Sequence, residues 1–174
     1  MRSPFFGEFI GMKKLINSPT LPPGNHIDGL FRATAMALIS QVGGASGPLY
    51  GTFFLKAAPP AAGKVELTLQ ELCDCLDAGL AGVVALGKAA PGDKTMVDAL
   101  TPALAALRSH DGDTLAAALD RAAAAAREAA EATTPLIARK GRASYLGERS
   151  MGHKDPGATS SALLIGARAD AAGT

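Results

Sequence analysis

The sequence predicts an all-α fold, and three observations carry that expectation. Nearly half of the residues are hydrophobic, yet only 5% are aromatic and tryptophan is absent, so small side chains, above all alanine, supply the apolar content. Alanine is the strongest helix former. Apolar residues recur three and four apart in successive stretches, and no stretch alternates with period two for long. The breaks between those stretches carry the proline, glycine and capping residues that start and stop helices. A chain of 174 residues is long enough to bury one real core. The expected architecture is an antiparallel bundle or barrel of about six amphipathic helices with short connections.

Residues 1–26 read as an irregular arm, because Ser18-Pro19-Thr20-Leu21-Pro22-Pro23-Gly24-Asn25 cannot continue a helix. The helical domain is expected over 27–174. Its first helix places Ile27, Leu30, Phe31, Leu38 and Val42 on one face, with Thr34 among them. Gly43-Gly44-Ala45-Ser46-Gly47 ends it, and Pro48 falls in the first turn of the next helix, whose stripe is Leu49, Phe53 and Leu55. A third helix opens on the capping-box pattern Thr68-Leu69-Gln70-Glu71. It carries Leu69, Leu72, Cys73, Leu76, Leu80, Val83 and Val84, and should stop near Gly87-Lys88.

A fourth helix starts near Thr95 with Met96, Leu100, Leu104 and Leu107 inward, and Pro102 predicts a kink or a tight first turn. Asp111-Gly112-Asp113 ends it, and Asp113 or Thr114 caps the alanine-rich stretch 114–134, whose narrow stripe includes Leu115 and Leu119. Pro135 breaks that stretch. The last helix is signed by Asp155 as N-cap and Pro156 as first residue, with Leu163, Leu164 and Ile165 supplying its apolar face.

A net charge of +1 excludes a broad electrostatic footprint for nucleic acid, so any anion binding must be local. No run reaches the roughly 18–20 apolar residues of a membrane span, and the first residues lack the apolar core and cleavage site of a signal peptide. Cys73 and Cys75 have no Cys or His partner nearby in sequence and read as buried reduced thiols of a cytoplasmic protein.

Three connections hold more chemistry than a turn requires. In Gly43 to Pro48, glycines let the backbone approach a ligand and the following helix start offers unpaired amides to an anion. The same residues also serve a plain helix–helix turn. Gly87 to Met96 sets Lys88 and Lys94 around a Pro-Gly turn, which reads equally as a solvated charged loop. Gly141 to Ser160 joins Arg142 and Arg149, fixed-charge donors suited to phosphate oxygens, to the Asp155-Pro156-Gly157 helix start. His153 has no carboxylate relay in the local sequence and is not assigned a catalytic role. Neither phosphate-loop fingerprint, nor a zinc-protease or Ser-His-Asp pattern, is present.

Taken together and in this order, Gly43-Gly44-Ala45-Ser46-Gly47-Pro48-Leu49-Tyr50-Gly51-Thr52-Phe53-Phe54, Gly87 to Met96, and the runs GRASYLGERS and GHKDPGATS resemble the L-subunit (DhaL) family of dihydroxyacetone kinases over roughly 27–168. The resemblance implies a barrel of amphipathic helices with a nucleotide at one end, ADP or ATP held through magnesium, and phosphoryl transfer to dihydroxyacetone. It also implies partners: a K subunit that holds the substrate, and in the phosphotransferase-linked form an M subunit that donates from a phosphohistidine. Carried over by residue, Ala45 and Ser46 would line the phosphates, Gly87 and Met96 would border the adenine or ribose, Arg142 would contact phosphate, and Asp155, Pro156 and Gly157 would close the pocket.

The family also has an upstream acidic loop, G-D-x-D-H-G-x-N, whose aspartates hold magnesium. Before the glycine loop this chain has only Glu8 and Asp28 as acids and no such motif, so no metal ligand is assigned and the barrel is expected to be N-terminally incomplete. Two functions follow: a nucleotide-binding phosphotransferase subunit, or a non-catalytic, truncated DhaL-like protein that acts as a binding or regulatory partner.

Overall fold

The structure, a computed structural model, describes residues 26–109 and 114–172. The arm up to Asn25 and the Asp111-Gly112-Asp113 turn lie outside the described residues. Among those described there are six α-helices, two 3-10 segments and no strand. The helices are α1 (Ile27–Gln41), α2 (Ser46–Ala57), α3 (Leu69–Gly87), α4 (Met96–Arg108), α5 (Leu115–Ala132) and α6 (Pro156–Ala172); the 3-10 segments are Pro59–Ala61 and Arg142–Ser150. The chain forms two compact units, divided between Val83 and Val84.

In the first unit α1 packs on α2, and glycine sets how closely. A Cβ on Gly47 would overlap the Val42 carbonyl oxygen, and one on Gly51 would overlap the Ile39 side chain. Two glycines four apart therefore present a bare strip of α2 to α1. Of the face expected on α1, Ile27 and Phe31 pack inward and Leu30 is exposed, while small Ala35 is the residue fully buried there. α3 meets α2 in the same way, since a Cβ on Gly79 would lie 2.9 Å from the Phe53 carbonyl oxygen and one on Gly82 would run into Lys56. Cys75, Ala57 and Ala61 form a small core with Ile27, Phe31 and Leu67 against it. Both cysteines are buried and neither forms a disulfide.

α3 starts as its capping box predicts. The Glu71 amide donates to Thr68 Oγ1 at 3.2 Å, and Glu71 Oε2 accepts from the Thr68 amide at 2.8 Å. Lys64 adds an ion pair to Glu71 Oε1. That pair, with the Thr68 amide, lowers the Glu71 pKa to about 2.

In the second unit α4, α5 and α6 pack against one another in all three pairings. Met96, Leu100, Leu104 and Leu107 are buried as expected, and α4 runs unbroken through Pro102. α5 differs from expectation. Its buried positions are Ala118, Ala122, Ala123, Ala126 and Ala130, whereas Leu115 is exposed. The close approach of three helices leaves room for methyl groups only. α6 differs for the same reason: Ala158, Ser161 and Ala162 face inward, and Leu163 is 56% exposed.

Candidate functional site

The Pro91-Gly92-Asp93-Lys94-Thr95 turn satisfies its own polar groups. The Ala90 amide donates to Asp93 Oδ2 at 2.8 Å, and the Asp93 amide to the Ala90 carbonyl at 3.1 Å. Thr95 caps α4 by accepting from the Val97 amide at 3.2 Å. Asp98 reaches back and accepts from the amides of Thr95, at 2.6 Å, and Gly92, at 2.5 Å. With both oxygens in use, Asp98 works as the reciprocal half of a capping box. Lys94 is not the solvated charge the sequence allowed. It is 2% exposed, and its ammonium donates to the carbonyls of Ser150 (2.6 Å), Leu136 (2.9 Å) and Thr134 (3.4 Å). Its backbone is left-handed, with φ of 63°.

Those carbonyls belong to the connection from α5 to α6, which is ordered by buried hydroxyls. Thr133 donates to the Ala130 carbonyl at 2.7 Å and accepts from the Asp155 amide at 2.9 Å. Ser150 donates to the Gly147 carbonyl at 2.6 Å and accepts from the Ala138 amide at 2.9 Å. The Arg139 amide donates to the Asp93 carbonyl at 3.0 Å, and the Gly152 amide to the Thr134 carbonyl at 2.9 Å. Each buried polar group thus finds a partner, which is the condition for burying it.

Asp155 caps α6 as expected, accepting from the Ala158 amide at 2.7 Å. Burial raises its pKa, and the charge of Asp98 adds to that; the Ala158 and Gly157 amides and Lys94 act against it. Gly157 follows in contact with the start of α4: a Cβ there would lie 2.9 Å from Asp155 Oδ2 and 3.1 Å from the Met96 nitrogen. Any larger residue would push the two helix starts apart.

Between these anchors runs the 3-10 segment Arg142–Ser150. Gly141 (φ 69°) turns the chain into it and Gly147 (φ 55°) breaks it in two. Arg142 and Arg149 are exposed, and Tyr145 is 88% exposed. In the first unit, Gly43 and Gly44 have open space around them, with Gly44 at φ 72°. Ala45 is the N-cap of α2 and supplies no side-chain cap, and Ala45 and Ser46 are both exposed. The first-turn amides of α2 are therefore not met by a capping side chain.

Of the eight residues singled out in the sequence, Ala45 and Ser46 lie in the first unit and the other six in the second. Met96, Asp155, Pro156 and Gly157 are brought together at the facing starts of α4 and α6. Gly87 ends α3, exposed, ahead of Lys88 at φ 49°. Arg142 opens the 3-10 segment and is exposed, as is His153. Sequence reading named Lys94 only as a loop charge and missed Thr133 and Ser150, because the contacts that tie these three into the frame reach 12 to 56 residues along the chain and give no local signal.

Each unit by itself offers chemistry suited to an anion: in the first, open glycines before an uncapped helix start; in the second, exposed arginines on the 142–150 segment. That chemistry does not suit a divalent cation. Among the described residues no three His, Cys, Asp or Glu side chains converge, and Asp98 and Asp155 already serve backbone amides. Among the same residues no helix is long and apolar enough to cross a membrane.

Comparison with known proteins agrees with this chemistry. The DAK2 domain model matches residues 10–170, which takes in part of the stretch read as an arm. The ADP-binding subunit DhaL of the PEP-dependent dihydroxyacetone kinase of Escherichia coli is 45% identical over 157 residues, 89% of this chain and 75% of that subunit. The ADP-binding subunit DhaL of the PTS-dependent enzyme of Lactococcus lactis is 40% identical over 155 residues, 89% and 73% of the two chains. Among solved structures, the dihydroxyacetone kinase of C. freundii in complex with AMP-PNP and Mg2+ superposes with a TM-score of 0.64 at 30% identity. That match covers 84% of this chain and 24% of the kinase chain.

Proposed function

Because the chain belongs to the DAK2 domain family, we propose that it is the nucleotide-binding component of a dihydroxyacetone kinase, binding ADP or ATP for phosphoryl transfer to dihydroxyacetone. The observation that carries this reading is that the Arg142 segment and the Asp155-Pro156-Gly157 helix start hang from one buried hydrogen-bonded frame. Phosphoryl transfer asks a protein mainly for positioning and charge neutralisation, and a rigid frame that presents arginine supplies both. In this proposal Arg142 contacts phosphate, and Ala45 and Ser46 offer α2 amides to it. Gly87 and Met96 border the adenosine, and Asp155, Pro156 and Gly157 close the site. Residues 27–174 form the nucleotide-binding domain, with 1–26 as an arm. The partners are a K subunit that holds dihydroxyacetone and, where the donor is a phosphohistidine, an M subunit. The location is cytoplasmic.

Magnesium accompanies the nucleotide in the C. freundii complex. The described residues here do not fit it, so no step is assigned to a metal. That misfit supports a second reading, in which the chain binds nucleotide or a partner subunit without transferring phosphoryl.

Calorimetric titration of ADP with and without magnesium tests both. Saturable ADP binding is expected, with little dependence on magnesium; absence of binding would remove the nucleotide site. Tight binding only with magnesium would reveal a metal site the described residues do not supply. Arg142→Ala should weaken ADP by about 1.5 kcal/mol, the loss of one charge-assisted hydrogen bond. Unchanged affinity would take Arg142 out of the site. Phosphoryl transfer in the presence of K and M subunits separates the first reading from the second.

A further inference from the structure

Lys94 combines two unfavourable features. A buried ammonium is costly unless its donors are met, and a left-handed backbone at a residue other than glycine costs on the order of 1–3 kcal/mol. The structure offsets the first with three carbonyl acceptors and leaves the second standing. Where the acceptors lie is informative. Leu136 precedes the Arg142–Ser150 segment and Ser150 ends it, so a single nitrogen ties both ends of the loop that carries Arg142. Thr134, the third acceptor, also receives the Gly152 amide from just beyond that loop. One residue after Lys94 the chain enters the Thr95 cap and then Met96, which abuts Gly157.

We propose that Lys94 is a positioning residue for the nucleotide site: its ammonium closes the 136–150 loop at its base and thereby fixes where Arg142 presents its charge. Lys94 acts through the loop and does not touch the ligand. The inference rests on the reading of Arg142 as a nucleotide contact given above. Arginine would not substitute, because a planar fork cannot serve three acceptors gathered around one point as an ammonium does.

The test uses the full chain with ADP as probe and Lys94→Ala, Lys94→Met, Arg142→Ala and Lys94→Ala/Arg142→Ala variants. Lys94→Ala should weaken ADP by about tenfold, a loss of ~1.4 kcal/mol. Propylammonium, the fragment removed by the truncation, should restore most of that affinity; tetramethylammonium, with the same charge and no donors, should not. Because Lys94 works through Arg142, the double variant should bind ADP within about twofold of Arg142→Ala alone, the non-additivity expected of coupled residues. Full affinity in Lys94→Ala, or single effects that simply multiply in the double variant, would overturn the proposal.

If the unaltered chain binds no ADP, the nucleotide reading fails and the clamp is judged on hydrogen exchange in Lys94→Met, which keeps the side-chain volume. The Ala138 and Gly152 amides should then exchange about tenfold faster while those of α4 stay protected. Unchanged exchange at those two amides would overturn the clamp itself.

Discussion

The two units solve the same packing problem with different side chains. In the first, α1 and α3 approach α2 over glycine, and the conspicuous ion pair, Lys64 with Glu71, sits on a partly exposed helix start. In the second, helices approach over alanine, and the polar groups are sunk into the connections: Lys94, Thr133, Ser150 and Asp155 are all buried. Close helix contact fixes the shape of the first unit. In the second it leaves the loops to be fixed separately, and buried hydrogen bonds do that. A ligand site built on loops gains from the second arrangement, since its geometry is specified by directional bonds.

The comparison breaks most visibly at Gly47. Gly47→Ala would drive a Cβ into the Val42 carbonyl and within 2.9 Å of that of Leu38, both backbone atoms. A loss of about 3 kcal/mol is expected in urea unfolding. Gly43→Ala, one turn away in open space, should change stability far less. A small effect at Gly47 would mean that the close crossing is not what holds the first unit. In the second unit the matching probe is Thr133→Val, which keeps the shape and strips the Asp155 amide of its acceptor. About 2 kcal/mol should be lost, and Thr133→Ser should recover much of it.

Acid sharpens the contrast with a smaller effect. The Glu71 pKa is lowered to about 2 by Lys64 and the Thr68 amide, so its contribution is complete above the ordinary carboxylate value and is lost as pH falls through about 2. Asp155 is shifted upward by burial, so its sign is opposite: the folded state holds that proton more tightly, and its contribution fades as pH rises through the raised value. Stability measured from pH 2 to 7 should therefore show the Glu71→Gln deficit shrinking toward acid. Asp155→Asn, which retains a capping oxygen, should show its disadvantage grow toward acid. Parallel profiles for the two variants would refute the assignment.

What the sequence disclosed was local. The Thr68–Glu71 box, the Thr114 cap, the Asp155-Pro156 start and the leucines of α4 all rest on residues within a turn or two of each other. What it concealed was either distant or negative. Lys94 finds its acceptors 40 to 56 residues away, and no spacing rule connects them. On α5 and α6 hydrophobicity pointed to leucines, but the closeness of three helices selected alanine and serine for the interior. Of the candidate site, Gly157 and Met96 are neighbours at the starts of α6 and α4, and in the sequence only the family resemblance linked them. The frame that holds them was not legible.

The alanine interior of α5 has a consequence for how this chain can change. Alanine loses no rotamer freedom on burial, so the five buried methyl groups settle without choosing among conformers. They also leave almost nothing to trim. Substitution at Ala118, Ala122, Ala123, Ala126 or Ala130 can go to glycine at a helix-propensity cost of ~1 kcal/mol, or else toward something larger that no longer fits. Drift along that helix is one-sided, and lineages carrying it should vary on its outer face while its inner face admits only the smallest side chains.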